Sequence, residues 1–414
     1  MSPGKSGALA GLRVIEATHA LAGPFCGQIL ADHGADVIKI EPPEGDFFRR
    51  IGPYDKADRD RHYGGLFQSC NRNKRSVSID FKKPEGRELF KELIAGADAF
   101  VENYRADVLN RLGLGYEELK KINPRLVYTS VRGFGDRAGG ASPYMAWPTF
   151  DIVAQAMGGW MGITGPSPDQ PFKVGGGPGD TVPGLFAAFG TLAAMFKARE
   201  TGQGQYVDVA MVDSILAMGE LIVSTFAYTG VSPAANGNTL PGLAPFGTVP
   251  TRDGTVVIAA AHDPQWRELT ALMGRPELAD HPDYNSEAQR WVNRDAMMAE
   301  LETFTRQYTK AELKDMLGGR VPVGPIYLAE DIFQDPHFAA RNMLPEVEHP
   351  GIERKVRVPG VPVKLSGTPG GVRRRAPLLA EHTDEVLREY GLDDDRIAAL
   401  AEAGAIRRGP AAAT

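Results

Sequence analysis

The sequence predicts a mixed α/β protein with a doubly wound sheet in a large domain and a second, small α+β domain. Two observations carry this prediction: strand and helix patterns alternate along the first half of the chain, and the 414 residues exceed a single average core. A change of composition after residue 230 separates a second region that has its own strands and helices.

Six strand patterns, rich in valine and isoleucine or alternating with period two, lie in the first half of the chain. They fall at 12–17, 35–41, 76–80, 98–102, 126–131 and 206–211. The helical patterns between and after them fall at 24–33, 84–97, 116–122, 150–158 and 181–199, with a further helix that runs to about 226. Since such units form parallel sheets that bind ligands at the strand carboxyl ends, polar residues there, such as Thr18, His19 and Asn103, are expected near a ligand.

The second region begins after a stretch rich in proline, glycine and asparagine at 231–245. Strand patterns at 247–251 and 255–260 flank Arg252-Asp253-Gly254, which predicts a hairpin, and a capping box at Thr309–Glu312 starts a later helix. We predict that the chain divides into four segments. Residues 1–226 form the N-terminal part of a large Rossmann-like domain, and 227–245 form a linker. Residues 246–326 form a small α+β domain, and 327–414 form a return linker and the C-terminal part of the large domain. Within the last part, we predict extended chain at 355–365, helices at 381–406 and a disordered tail at 408–414.

Composition excludes several classes of function. The net charge of −6 argues against an electrostatic nucleic-acid binder, although a local basic pocket for phosphates fits it. No 18-residue apolar run lacks charge and the first residues have no signal core, so we expect a cytoplasmic protein that does not enter a membrane. Cys26 and Cys70 are expected to be reduced and structural.

Common catalytic motifs are missing from the chain. There is no G-x-S-x-G, no Walker A loop and no H-E-x-x-H, and no two histidines lie closer than 12 residues. We therefore predict no metal and no permanently bound cofactor. Glu41 ends the second strand where a ribose-binding acid would lie, but the preceding loop at 18–24 lacks the glycine fingerprint of NAD sites.

The strongest candidate site is Asp180, which follows the glycine-rich loop Gly175–Gly179 and opens a long apolar run. In one interpretation Asp180 is the N-cap of a buried helix with Pro183 in its first turn. In the other, the helix N-terminus holds Asp180 ionised and the glycines admit a substrate, so the carboxylate acts as nucleophile or base. The two interpretations are compatible.

Two weaker candidate sites each have two interpretations. The basic loop at 71–75 is either solvated surface or a phosphate site, and His19 is either a hydrogen-bonded loop histidine or a catalytic one.

Several short motifs spread over nearly the whole chain point to one family. They are Ala22-Gly23-Pro24, DVIKIE at 36–41, NKRS at 73–76, VENY at 101–104, TGQGQ at 201–205 before VDV at 207–209, and EHTD at 381–384. Together they resemble the class III CoA-transferases, the family of formyl-CoA:oxalate and carnitine CoA-transferases. The resemblance implies substrates that are an acyl-CoA and a small carboxylic acid, and a homodimer of interlocked rings.

The resemblance also assigns residues. It places the nucleophilic aspartate on Asp180, which would form an aspartyl-acyl anhydride. It places CoA contacts on His19, Ala20, Lys74, Asn103, Tyr104, Arg111 and Arg132. Apart from the resemblance, the positive charges of Arg132, Arg137 and Lys173 make them candidates for binding the second carboxylate of a dicarboxylic acid such as succinate.

Departures from the family pattern leave alternatives open. Leu21 replaces a glutamine of the formyl-CoA enzyme, and 231–245 lacks that enzyme's tetraglycine loop, which counts against oxalate as the acceptor. Phe150, beside Asp151, stands where related racemases have a catalytic histidine. A 2-methylacyl-CoA racemase-type enzyme and a non-catalytic CoA-binding scaffold are the alternatives to the transferase.

Overall fold

The structure, a computed structural model, describes residues 7–58, 61 and 63–409. The described residues of Met1–Trp160, Lys173–Thr229 and His337–Thr414 form one compact unit, and Met161–Phe172 with Gly230–Pro336 form a second. Compactness does not show which segments fold independently, so the division at 226, 245 and 326 stays a prediction. Most of the predicted disordered tail, from 410 onward, lies outside the described residues.

The strands of the described chain are named in chain order. They are β1 (Arg13–Ala17), β2 (Asp36–Glu41), β3 (Arg75–Ile79), β4 (Ala99–Glu102), β5 (Val127–Arg132), β6 (Tyr206–Ala210), β7 (Phe246–Pro250), β8 (Thr255–Ala259), β9 (Val323–Pro325), β10 (Glu346–Val347), β11 (Val356–Arg357) and β12 (Ile406–Arg407).

The helices follow the same convention. They are α1 (Ala22–Asp32), α2 (Gly65–Asn71), α3 (Pro84–Ala95), α4 (Val108–Arg111), α5 (Tyr116–Ile122), α6 (Asp151–Met157), α7 (Trp160–Ile163), α8 (Pro178–Thr201), α9 (Met211–Met218), α10 (Glu220–Thr229), α11 (Asp263–Leu272), α12 (Glu287–Val292), α13 (Arg294–Thr305), α14 (Lys310–Leu317), α15 (Ala329–Gln334), α16 (Pro336–Ala340), α17 (Thr383–Glu389) and α18 (Asp394–Glu402), with 3₁₀ turns at Phe47–Arg50 and Pro276–Asp280.

The first unit is built on a seven-stranded sheet in the order β12-β3-β2-β1-β4-β5-β6. Strands β1 to β6 pair in parallel, and β12 pairs antiparallel with β3. The predicted mixed α/β class with a large, mostly parallel sheet is therefore confirmed. The strand order reverses between β1 and β4, and in open α/β sheets ligands bind outside the strand carboxyl ends at such a reversal.

Both faces of this sheet are buried, as parallel sheets require. Successive residues of β1 point to opposite faces: Ile15 packs in a core with Phe90 of α3, and Val14 packs in a second core with Leu30 of α1 and Ala187 of α8. The central helix α8 approaches its neighbours closely, because a Cβ on Gly184 would lie 2.6 Å from the carbonyl oxygen of Ala22. The sheet and α1 thus fix the position of the start of α8.

The second unit contains the antiparallel sheet β7-β8-β9, and the predicted hairpin is the β7–β8 pair. Its core includes Ile258 of β8, Trp266 of α11 and Leu301 of α13. The predicted capping box is present: the Thr309 hydroxyl accepts from the Glu312 N–H, and the Glu312 carboxylate accepts from the Thr309 N–H.

Three local predictions differ from the structure. The helix predicted to run to 226 breaks at Gly219 into α9 and α10, where a Cβ would lie 3.0 Å from the indole nitrogen of Trp160. The helical region predicted at 381–406 ends instead in β12, which is too short to leave a sequence pattern. Of the extended segment predicted at 355–365, only Val356–Arg357 forms a strand, with β10.

Helix α8 has the length and hydropathy of a membrane span, and α9 with α10 would pass the same test only as one bent pair. The buried face of α8 packs in the core between α1 and the sheet, where a core helix lies. The predicted absence of membrane contact stays a prediction.

Candidate active site

A cavity of about 330 Å³ opens at the carboxyl ends of β1, β4 and β5, beside the reversal of strand order. Loops after all three strands contribute to its wall, together with the start of α8. The lining residues are His19, Ala20, Ala22, Phe47, Asn103, Tyr104, Arg105, Ala106, Val131, Arg132, Gly133, Met145, Ala146, Trp147, Pro148, Thr149, Phe150, Asp180 and Met211. Six of the eight predicted site residues therefore meet in one cavity.

The loop after β1 is joined to the loop after β4 by a reciprocal pair of hydrogen bonds. The His19 N–H donates to Asn103 Oδ1, and Asn103 Nδ2 donates to the His19 carbonyl oxygen, both at 2.8 Å. The His19 ring lies edge-on to Tyr104 with ring centroids 5.1 Å apart. Burial lowers the pKa of His19, so the imidazole is neutral at physiological pH.

A buried ion pair between Lys39 and Asp46 contacts the backbone of the loop after β1. Ala20 has a φ of 62° and its N–H donates to Asp46 Oδ1 at 3.3 Å. Asp46 in turn lies 3.1 Å from Lys39 Nζ, which also donates to the Thr18 carbonyl oxygen at 2.9 Å. Burial alone would lower the pKa of Lys39, but Asp46 and neighbouring carboxylates raise it, so the lysine stays charged and holds the loop.

Arg132 lines the cavity but its charge is already balanced. Its Nη2 donates to Glu102 Oε1 at 2.8 Å, its Nε donates to the Tyr104 carbonyl oxygen at 3.1 Å, and it also pairs with Asp136. Glu102 is fully buried, and burial raises its pKa despite Arg132. Arg132 therefore fixes the loop after β4 rather than offering a free cation.

Two predicted CoA contacts lie away from the cavity lining. Lys74 is fully buried, with its Nζ 2.8 Å from Glu16 Oε2, and it donates to the Pro24 carbonyl oxygen at 2.8 Å in the first turn of α1. Arg111 is exposed at the end of α4. The structure brings neither into the lining, and their contact with CoA stays a prediction.

Asp180 borders the cavity from the third position of α8. The predicted N-cap role is wrong, because the helix begins at Pro178 and Gly177, with a φ of 78°, is the N-cap. The predicted first-turn position of Pro183 is wrong for the same reason, since Pro183 lies inside the helix. The left-handed φ of Gly176 and Gly177 explains why the loop needs glycine.

The electrostatics of Asp180 favour a reactive carboxylate. Burial, with a smaller contribution from the charge of Asp151, raises the pKa of Asp180 to about 7. The N-terminus of α8 acts in the opposite direction, since its partial positive charge favours an anion. Over the residues that the structure describes, no cation forms an ion pair with Asp180. Asp180 is therefore not held fully ionised as predicted: near pH 7 burial keeps part of it protonated, and the ionised part is a partly desolvated carboxylate that is not paired with a cation in the described chain, which suits a nucleophile.

The predictions missed the aromatic wall of the cavity. Trp147 and Phe150 border the cavity with 54% and 65% of their surface exposed, and Phe47 lies on the opposite loop after β2. Trp147 lies in a loop, outside any strand or helix pattern, and the sequence singled out Phe150 only for its place in the family pattern. Phe150 has no group that transfers a proton, so it cannot serve as the base that the resemblance would place there in a racemase.

Two remaining sequence hypotheses concern other ligands. Glu41 accepts hydrogen bonds from Arg49 at 2.8 and 2.6 Å and from the Ser76 hydroxyl at 2.6 Å, and it is buried outside the cavity. Burial opposes ionisation, but Arg49 lowers the pKa of Glu41 to about 2, so this carboxylate is not free for a ribose. Within the described ranges, no three His, Cys, Asp or Glu side chains cluster as metal ligands. The predicted absence of a metal stays a prediction.

Comparison with known proteins agrees with this fold. The sequence profile of CoA-transferase family III matches residues 9–383, and the chain belongs to this family. A succinyl-CoA:mesaconate CoA-transferase of Haloarcula marismortui is 44% identical over 391 residues, covering 94% of this chain and 97% of that protein. A succinyl-CoA–D-citramalate CoA-transferase of Chloroflexus aurantiacus is 38% identical over 393 residues, covering 94% and 96%.

A solved structure shares the architecture. The crystal structure of a CAIB/BAIF family protein from Brucella suis aligns with a TM-score of 0.84 at 36% identity, covering 93% of this chain and all of that chain. Taken with the named relatives, this shows that the chain is an enzyme of the CoA-transferase class.

Proposed function

We propose that this enzyme moves CoA from an acyl-CoA to a small carboxylic acid through an aspartyl-acyl anhydride on Asp180. One observation carries the proposal: a partly buried carboxylate, not paired with a cation in the described chain, borders a cavity at the strand carboxyl ends. Burial raises the free energy of the ionised form, which makes the carboxylate a stronger nucleophile than one in water.

The reaction runs in four steps that balance. An Asp180 oxygen attacks the thioester carbonyl, the C–S bond breaks, and an anhydride and CoA thiolate form. The thiolate attacks the aspartyl carbonyl, which releases the first acid and leaves an aspartyl-CoA thioester. The acceptor carboxylate attacks that thioester to give a second anhydride and thiolate. The thiolate then takes the acceptor's acyl group, which regenerates the Asp180 carboxylate.

Backbone donors beside Asp180 support the tetrahedral intermediates. The glycine loop offers N–H groups close to Asp180, but that of Gly179 donates to Asp151 Oδ1 at 2.7 Å. The N–H groups of Gly176 and Gly177 remain as the proposed donors, and one oxyanion donor contributes typically about 3 kcal/mol.

We propose succinyl-CoA as the donor and a five-carbon dicarboxylic acid such as mesaconate as the acceptor. The names of the two relatives above support this choice. Arg132 is already balanced by Glu102 and Asp136, so the distal carboxylate needs another cation. Arg105 is exposed on the cavity wall, and we assign it this role.

The homodimer is also a proposal. Large apolar side chains on α8 and α10 are exposed: Phe189 by 70%, Phe196 by 77%, Phe226 by 56% and Tyr228 by 92%. Large exposed apolar side chains, when they lie together, are typical of protein interfaces. We propose that a second copy of the chain covers these side chains in a homodimer of interlocked rings. We also propose that the protein is cytoplasmic and that its large sheet binds CoA in the Rossmann-like manner. Light scattering on the purified protein tests the dimer.

The function is tested by mixing the protein with succinyl-CoA and a panel of free acids, without metal or ATP, and following each CoA thioester by mass spectrometry. A new thioester that matches an added acid is the expected result. Asp180→Ala should abolish transfer, while Asp169→Ala, which changes an exposed loop aspartate, should not. An acceptor labelled with heavy oxygen should leave one labelled oxygen on Asp180. The label is located by mass spectrometry of the peptide that contains Asp180. CoA transfer that persists in Asp180→Ala, or the absence of heavy oxygen from this peptide, would refute the anhydride.

A further inference from the structure

Two side chains of α6 connect to both ends of the glycine loop that carries Asp180. Gln155 is fully buried, and its Oε1 accepts from the Val174 N–H at 2.8 Å while its Nε2 donates to the Val174 carbonyl oxygen at 3.3 Å. Asp151, one turn earlier, accepts from the Gly179 N–H at 2.7 Å. The loop between Val174 and Gly179 is therefore held at each end by the same short helix.

The two side chains also hold each other. Gln155 Nε2 donates to both Asp151 carboxylate oxygens, at 3.0 and 2.9 Å. The amide can face Asp151 only with its nitrogen, because its oxygen is fixed by the Val174 N–H. The carboxylate orientation at Asp151 is thus set by a buried, fully used amide. Gly179 packs directly on this helix, since a Cβ there would lie 2.3 Å from the Asp151 carbonyl oxygen.

From these contacts we propose that Asp151 and Gln155 are positioning residues for the nucleophile: together they fix the glycine loop, and the Asp151 charge sets how readily Asp180 reacts. The inference rests on the proposed nucleophilic role of Asp180. Glycine-rich segments have the largest backbone entropy to lose, so this loop needs external contacts to hold Asp180 within reach of a thioester. A misplacement of about 1 Å can cost about a hundredfold in rate.

The charge of Asp151 acts on the reaction because ionised Asp180 becomes part of a neutral anhydride. A negative neighbour raises the free energy of the ionised carboxylate but not that of the neutral anhydride. It therefore makes ionised Asp180 more basic and more reactive, while a smaller fraction of Asp180 is ionised at low pH. Asp151 is the charged group that raises the pKa of Asp180, beside burial. Helix α9, which also packs against α6, carries Asp213, but that carboxylate is exposed and acts on Asp208 instead. Other titratable groups on the cavity wall are His19, Tyr104, Arg105 and Arg132.

The test compares the pH dependence of kcat in Asp151→Asn and Asp151→Glu with that of the wild type. The asparagine keeps an oxygen for the Gly179 N–H but loses the charge, and its amide nitrogen replaces one of the two oxygens that accept from Gln155 Nε2. The acidic limb should therefore move to lower pH, with kcat lower on the alkaline plateau. The glutamate keeps the charge, so its limb should stay in place while kcat falls through altered geometry. KM for the acyl-CoA should not change in either variant, because Asp151 is not among the residues that line the cavity.

Further variants separate position from charge. Gln155→Leu frees both Val174 backbone groups and should lower kcat about ten- to a hundredfold with KM unchanged. Glu85→Gln is the matched control, since Glu85 is an exposed carboxylate in the first turn of α3, and it should leave the profile unchanged. Thermal melting checks that each variant is folded.

The outcomes distinguish this inference from the function on which it rests. If wild type transfers CoA and Asp180→Ala does not, the nucleophile stands, and an acidic limb that is identical in Asp151→Asn and wild type overturns the positioning proposal alone. A fall in kcat with an equal rise in KM in Gln155→Leu would overturn the loop-holding role. If Asp180→Ala retains transfer, the proposed function itself fails.

Discussion

Replacing Asp180 by asparagine should stabilise the fold at alkaline pH, because the ionised carboxylate is held where burial disfavours it. The pKa of Asp180 is raised from 3.8 to about 7 in the folded protein. The folded state therefore keeps a proton that the unfolded state has lost between these two values. Stability contributed by this group is greatest below about pH 4, falls as the pH rises, and is fully lost above about pH 7.

The difference of about three pKa units corresponds to about 4 kcal/mol, which is an upper value because partial solvent contact reduces it. Asp180→Asn removes this cost, so at pH 8 we expect the free energy of unfolding to rise by about 2 to 4 kcal/mol relative to wild type. At pH 5 the rise should be less than half as large. Urea unfolding followed by circular dichroism at both pH values measures it. Asp169→Asn, an exposed aspartate, is the control and should change neither value.

Two results would contradict this reasoning. If Asp180→Asn is no more stable than the wild type at pH 8, burial does not destabilise the ionised carboxylate of Asp180 in the folded protein. If the gain is equal at pH 5 and pH 8, it comes from packing of the amide and not from the loss of a charge. The expected result would place Asp180 among active-site groups that are retained at a cost in stability.

Two further predictions concern the cavity wall. Arg132→Ala should destabilise the protein by about 3 to 5 kcal/mol, measured by urea unfolding, because it leaves the buried Glu102 without its partner; a loss of CoA affinity with unchanged stability would contradict this. Trp147→Ala should raise KM for the acyl-CoA and leave the free energy of unfolding within about 0.5 kcal/mol of wild type, because the side chain is exposed on the cavity wall. An unchanged KM would show that this ring does not contact the substrate.

Much of the site could be predicted because its elements are local in sequence. The alternation of strand and helix patterns gave the mixed α/β class, and the glycines before Asp180 marked a loop with left-handed backbone ahead of a helix. The exact cap residue could not be predicted, since Gly177 and Asp180 both suit a helix start and packing of α8 on α1 and α6 decides between them.

The sequence by itself therefore determined the six parallel strands, the family and the candidate nucleophile, because periodicity, turn residues and motifs act over a few neighbouring positions. The tertiary structure alone decided which charges are available. It buries Lys74 against Glu16, balances Arg132 with Glu102, and brings Asp151 close to the candidate nucleophile Asp180, which lies 29 positions further along the chain. Burial and through-space charge set the protonation of a group, and both depend on residues that only folding brings together.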